Sequence, residues 1–107
     1  MTLQHVVLFS FPAPLSAADE AQMREMVASW PAKIGLMSRC RFGNDLTGER
    51  TRGYGYLLYM EFPSFDVLRQ YQGHPVHQDF LAWITARDCT ALAFDYYLDS
   101  DTVLMDE

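Results

Sequence analysis

Two of the chain's three histidines and a tyrosine fall within seven residues, Tyr71-Gln72-Gly73-His74-Pro75-Val76-His77. An imidazole that titrates at about 6.5 can take or give a proton near neutral pH. A phenol beside it can donate a hydrogen bond to an oxygen on which charge develops. Together, a base and such a donor are what proton removal next to a carbonyl requires. His77 and Tyr71 are therefore the candidate functional pair. His77 has a defined direction: steps of three, four and seven residues reach Phe80, Leu81 and Ile84. Those steps mark one helical face, so the ring is expected to point inward. A core histidine tied to a backbone carbonyl is the alternative reading of the same pattern.

The elements around this string must position it. Gly73 can close one helix in a left-handed conformation, and Pro75 suits the first turn of the next. Tyr71 then ends a short helix over 65–72, capped by Ser64, and His77 opens a longer one over about 75–87. Ahead of them lies a first strand over 3–11, with Leu3, His5, Val7, Phe9 and Phe11 on one face. Pro12 and Pro14 stop it. Ser16 caps a helix whose Met23, Met26, Val27 and Trp30 recur at helical spacing, and Pro31 is expected to end it. A weaker strand over 36–43 follows, then a polar loop, then a strong strand over 54–62. That strand alternates Tyr54, Tyr56, Leu58, Met60 and Phe62 against Leu57 and Tyr59. The last strand, 89–98, alternates Cys89, Ala91, Ala93, Asp95 and Tyr97 against Thr90, Leu92, Phe94, Tyr96 and Leu98.

This order predicts an α+β, ferredoxin-like fold: a four-stranded antiparallel sheet with helices on one face. Residues 1–98 form the domain and 99–107 an acidic C-terminal tail. A pocket is expected between the sheet face bearing His5, Val7, Tyr56 and Leu58 and the helices bearing Met23, Val27, Phe80 and Ile84.

Composition excludes several function classes. Half of the 107 residues are hydrophobic and 14% are aromatic, which suits a folded chain with a real core. A net charge of −6 with eight scattered Lys and Arg lacks the basic footprint of a nucleic-acid binder. The apolar runs are too short for a membrane span, and the opening residues carry no leader-like pattern. A cytoplasmic location is the expectation, with Cys40 and Cys89 as free thiols. No cofactor fingerprint occurs. A metal site would need His5, His74 and His77 to converge, and the proline elbow aims His74 away from His77, so no metal is expected.

The first, third and last strands are apolar on both faces, as in Val6-Val7-Leu8-Phe9 and Ala91-Leu92-Ala93-Phe94. Helices on one side leave the other uncovered, beyond what soluble monomers usually expose. A second copy laid sheet to sheet is the simplest cover, making a homodimer.

Several strings resemble one family. They are His5-Val6-Val7-Leu8-Phe9, Gly43-Asn44-Asp45, Gly55-Tyr56 leading to Phe62-Pro63-Ser64, the Tyr71-x-x-His74-Pro75-x-His77 motif, and Phe94-Asp95-Tyr96. They are similar to the stress-responsive A/B barrel domain family from about residue 3 to residue 98. The resemblance implies a dimeric α+β barrel, most members having no assigned activity; the expected function is a homodimer that holds a small apolar or aromatic ligand between sheet and helices. The clearest enzyme of the family, olivetolic acid cyclase, closes a linear polyketide without a cofactor. That implies an alternative function, a cofactor-independent cyclase or lyase. Its catalytic tyrosine and histidine fall on Tyr71 and His77, and its first-strand histidine on His5. The resemblance also implies that the last strand near Asp95 orients His77. Tyr56 stands where that enzyme has a further histidine, and Ala91 and Ala93 replace larger pocket-wall residues.

Overall fold

The computed structural model describes residues 1–105. Its strands are β1 (Thr2–Ser10), β2 (Arg39–Asn44), β3 (Tyr54–Phe62) and β4 (Thr90–Leu98). Its helices are α1 (Ala17–Ala28), α2 (Trp30–Lys33), α3 (Phe65–Gly73) and α4 (Pro75–Thr85). The strands form one antiparallel sheet in the order β2-β3-β1-β4. The ferredoxin-like arrangement expected from the element order is the one found.

Alternation decides the two sides of this sheet. Leu3, His5, Val7 and Phe9 of β1 are buried under the helices, as are Leu58, Met60 and Phe62 of β3. Val7 lies opposite Leu58 on one side and Ala93 on the other, and His5 lies opposite Met60 and Asp95. The helices contribute Met23, Val27, Trp30, Leu68, Tyr71, Phe80 and Ile84 to the same core. Burial of each large side chain stabilises the fold by roughly 1.5–3 kcal/mol.

The helix ends follow local chemistry. Ser16 accepts from the Asp19 amide and Ser64 from that of Val67, the two caps expected. Two expectations about helix ends are corrected. Pro31 does not end the helical region; it sits in the first turn of α2, where its missing N–H is not needed. Gly73 is not left-handed, since α3 runs through it and His74 is the cap, extended at φ −68°, ψ 136°. Pro75 provides the reason, because a residue before proline is pushed out of the helical region. The left-handed glycine stands at Gly35, just past α2, with φ 71°.

The boundaries of β2 and β4 also move. β2 starts at Arg39 and not at Leu36, and Cys89 precedes β4. The face assignments survive both shifts, because alternation depends on parity and not on ends. Both thiols are free and half-buried.

On the outer face, Leu57, Leu92, Phe94 and Leu98 are 40%, 52%, 67% and 39% exposed. Gln4 shares this face yet is buried, held by Tyr59, Thr2 and Glu61. A polar network thus covers Gln4 on this face, while Leu57 of β3 and the β4 side stay bare. No helix among the described residues is long and apolar enough to cross a membrane. Of the tail, 106–107 lie outside the described residues.

Candidate functional site

The α3–α4 elbow brings Tyr71 and His77 together. Their ring centres lie 4.3 Å apart, and both side chains are buried. Trp30 packs edge-on against both rings, at 5.6 and 5.9 Å. The Nδ1 of His77 lies 3.1 Å from the Gln72 carbonyl oxygen. A carbonyl can only accept, so Nδ1 carries the proton and Nε2 keeps a lone pair. Burial holds the His77 pKa below its ordinary value, with His5 and His74 pushing the same way and the Gln72 hydrogen bond opposing. Burial also pushes the Tyr71 phenol far above its usual range, with Cys40 adding to the shift. At neutral pH this makes a neutral imidazole with a free nitrogen beside a phenol that stays protonated.

His5 is the third polar group. It is buried on the helix-facing side of β1, with its ring centre 6.0 Å from that of Tyr71. Its Nδ1 hydrogen-bonds the Asp95 carboxylate across the β1–β4 ladder. This corrects the expectation that the last strand near Asp95 orients His77. Asp95 faces His5, its register partner, and the Gln72 carbonyl orients His77 instead.

A cavity of about 340 Å³ opens beside these groups. His5, Val7, Phe9 and Leu58 form its floor, and Tyr71, Gln72, His77 and Gln78 its polar end. Phe80, Leu81 and Ile84 roof it, and Ala91 and Ala93 form the outer wall. Of the expected residues, His5, Val7, Leu58, Tyr71, His77, Phe80 and Ile84 line this cavity. Asp95 reaches it only through His5.

Three expected lining residues are elsewhere. Met23 is buried in the core, and Val27, also buried, lines a separate cavity of about 300 Å³ with Cys40 and Phe42. Tyr56 faces the helix side but sits at the far end of β3, where its hydroxyl donates to Glu20 Oε2 at 2.7 Å. Burial and the Glu20 carboxylate push its phenol up to about 12. Tyr56 lines a larger, more open cleft of about 580 Å³ between the 11–15 and 44–48 loops. In that cleft Tyr56 and Glu20 bond each other, whereas in the smaller cavity Tyr71 Oη and His77 Nε2 have no hydrogen-bond partner among the described residues. The smaller cavity is the candidate site.

Phe9 and Leu81 carried a signal in the sequence, by alternation with Val7 and by helical spacing from His77. Gln72 and Gln78 carried none, because the first acts through its backbone and the second through that backbone. His74 accepts from the Val76 amide through Nδ1 at 3.1 Å, capping α4 as its place before Pro75 suggests. Among the described residues no group of three or more His, Cys, Asp or Glu side chains is arranged to hold a metal ion.

Comparison with known proteins follows the fold closely. A dimeric ferredoxin-like protein of unknown function from Thermobifida fusca is 28% identical, with 88% of this chain and 90% of that one covered at a TM-score of 0.71. The Arabidopsis thaliana protein At3g17210 is 26% identical, with 92% and 96% covered at 0.78. The hydroxynitrile lyase of Passiflora edulis is 16% identical and shares the fold, with 92% and 94% covered at 0.81. No curated protein matches the sequence. The family model that matches is the stress responsive A/B barrel domain, over residues 3–98, and the chain belongs to that family.

Proposed function

We propose that the protein is a homodimer that binds a small, uncharged apolar or aromatic ligand in the cavity between sheet and helices. The observation that carries this reading is the cavity's composition: a largely apolar chamber with Tyr71 and His77 at one end and, among the described residues, no Lys, Arg, Asp or Glu in its lining. Such a site favours a neutral ligand with an oxygen to meet the Tyr71 hydroxyl and a donor to meet His77 Nε2. The second copy covers the bare β4 side of the outer face, a reading supported by the exposure of Leu92 and Phe94 and by the dimeric Thermobifida fusca relative.

A second reading is favoured by one feature, the neutral His77 with Nε2 unprotonated. The same pair can remove a proton next to a ligand carbonyl and hold the enolate oxygen, as a cofactor-independent cyclase or lyase would. Benzoylacetone, an enolisable aromatic diketone, tests both readings. It should quench Trp30 fluorescence saturably, and His77→Ala should abolish the effect. Solvent-deuterium exchange at its central carbon, accelerated by the wild type and not by His77→Ala, marks catalysis. No saturable binding by this or related neutral aromatic ketones overturns the ligand reading.

A further inference from the structure

The His77 tautomer depends on a single backbone oxygen, and a second side chain reaches that oxygen. The Gln72 carbonyl lies in the last turn of α3, where helix carbonyls lack partners of their own. Were the helix to continue, the Val76 amide would be its donor; that amide instead bonds His74 Nδ1. Two side chains of α4 take the vacant place: His77 Nδ1 at 3.1 Å and Gln78 Nε2 at 2.6 Å. The Gln72 side chain is fixed separately, accepting from Arg69 Nη1 at 2.7 Å. Gln78 is exposed and lines the cavity, so it stands at the mouth.

We infer that Gln78 is a positioning residue, which clamps the Gln72 carbonyl where His77 must donate to it and so keeps His77 Nε2 free toward the cavity. The inference rests on His77 being the functional group. The carbonyl has two lone-pair directions, and Gln78 occupies one with the shorter bond. With the oxygen held from that side, the other direction points at His77. Without Gln78 the oxygen can turn to water at the mouth, and the imidazole loses what selects its protonated nitrogen. The other ionisable groups facing the ring are His5 from β1, with Asp95 behind it, His74 at the α4 cap and Tyr71 from α3. None of them bonds His77 Nδ1, so none supplies the restraint.

Imidazole nitrogen NMR on the full chain, labelled at histidine, reads the tautomer with no ligand present. The wild type should show widely separated His77 nitrogen signals, with Nδ1 in the protonated and Nε2 in the unprotonated range. In Gln78→Leu the two should move toward each other, to a mixed-tautomer position, with the melting temperature unchanged because the residue is exposed. Gln78→Arg, which keeps a donor, should restore the separation. Wild-type separation in Gln78→Leu overturns the inference, and so does a failure of Gln78→Arg to restore it. A melting shift that tracks loss of the bond, with the tautomer unmoved, reduces Gln78 to a structural clip. If the tautomer responds as stated but benzoylacetone does not bind, the ligand reading falls and this one stands.

Discussion

Replacing Tyr71 by Phe removes one oxygen and nothing else from the packing. The ring keeps its neighbours: His77 at 4.3 Å, Phe62 at 5.1 Å and Trp30 at 5.6 Å between ring centres. The hydroxyl has no hydrogen-bond partner among the described residues, so its loss strands no buried group. Stability should therefore not fall, because removing an unpartnered buried hydroxyl relieves its desolvation cost. If the hydroxyl serves a ligand, its loss removes one neutral hydrogen bond, worth about 0.5–1.5 kcal/mol. That corresponds to a roughly twofold to twelvefold rise in the benzoylacetone Kd. His77→Ala is the contrast, because it opens a void between Tyr71 and Trp30 and should cost about 1–3 kcal/mol. At about 4–8 °C per kcal/mol for a domain of this size, thermal melts separate the two variants clearly. Melts and fluorescence titrations on the same samples form the assay. Tyr71→Phe that loses more than about 1 kcal/mol while binding the diketone unchanged would refute the reasoning, since the hydroxyl would then be structural.

Three further outcomes are expected. The unfolded chain protonates His77 at its ordinary value of 6.5 and the folded chain resists until lower pH. Stability from this group is thus full above the ordinary value and is lost as pH falls from it to the depressed one. Melts against pH should show that slope weakened in His77→Gln. Leu92→Lys or Phe94→Lys, charging the bare outer face, should convert a species of about twice the chain mass into monomer or aggregate in sedimentation; a soluble wild-type monomer at micromolar concentration would refute the dimer. Ala93→Phe should fill the cavity from β4 and weaken diketone binding at least tenfold, with little change in the melt.

The fold was legible because parity and spacing survive errors at element ends. His5, Val7 and Leu58 fall on the helix-facing side as expected, although several strand ends shifted by one to three residues. The Tyr71–His77 pairing was legible because Pro75 fixes the elbow, even though the left-handed glycine expected at Gly73 was not needed. Tyr56 was misplaced because a sheet face is shared by two clefts, and alternation does not say how far along a strand the helices part. Met23 and Val27 were misplaced for a related reason, since an inward helical stripe does not say which cavity, if any, its residues line. The partner of His77 could not be read from side-chain types, because the group that fixes its tautomer is a main-chain carbonyl at a helix end.

If a neutral ligand meets His77 and Tyr71 in the cavity, the imidazole nitrogen signals of His77 must respond during a benzoylacetone titration. A saturable shift is expected at His77 Nε2 as it accepts from the ligand's enol, with Nδ1 still protonated and the shift absent in Ala93→Phe. A titration in which His77 does not move, or in which the saturable changes fall on Tyr56 and Glu20 in the larger cleft, would contradict binding at this site.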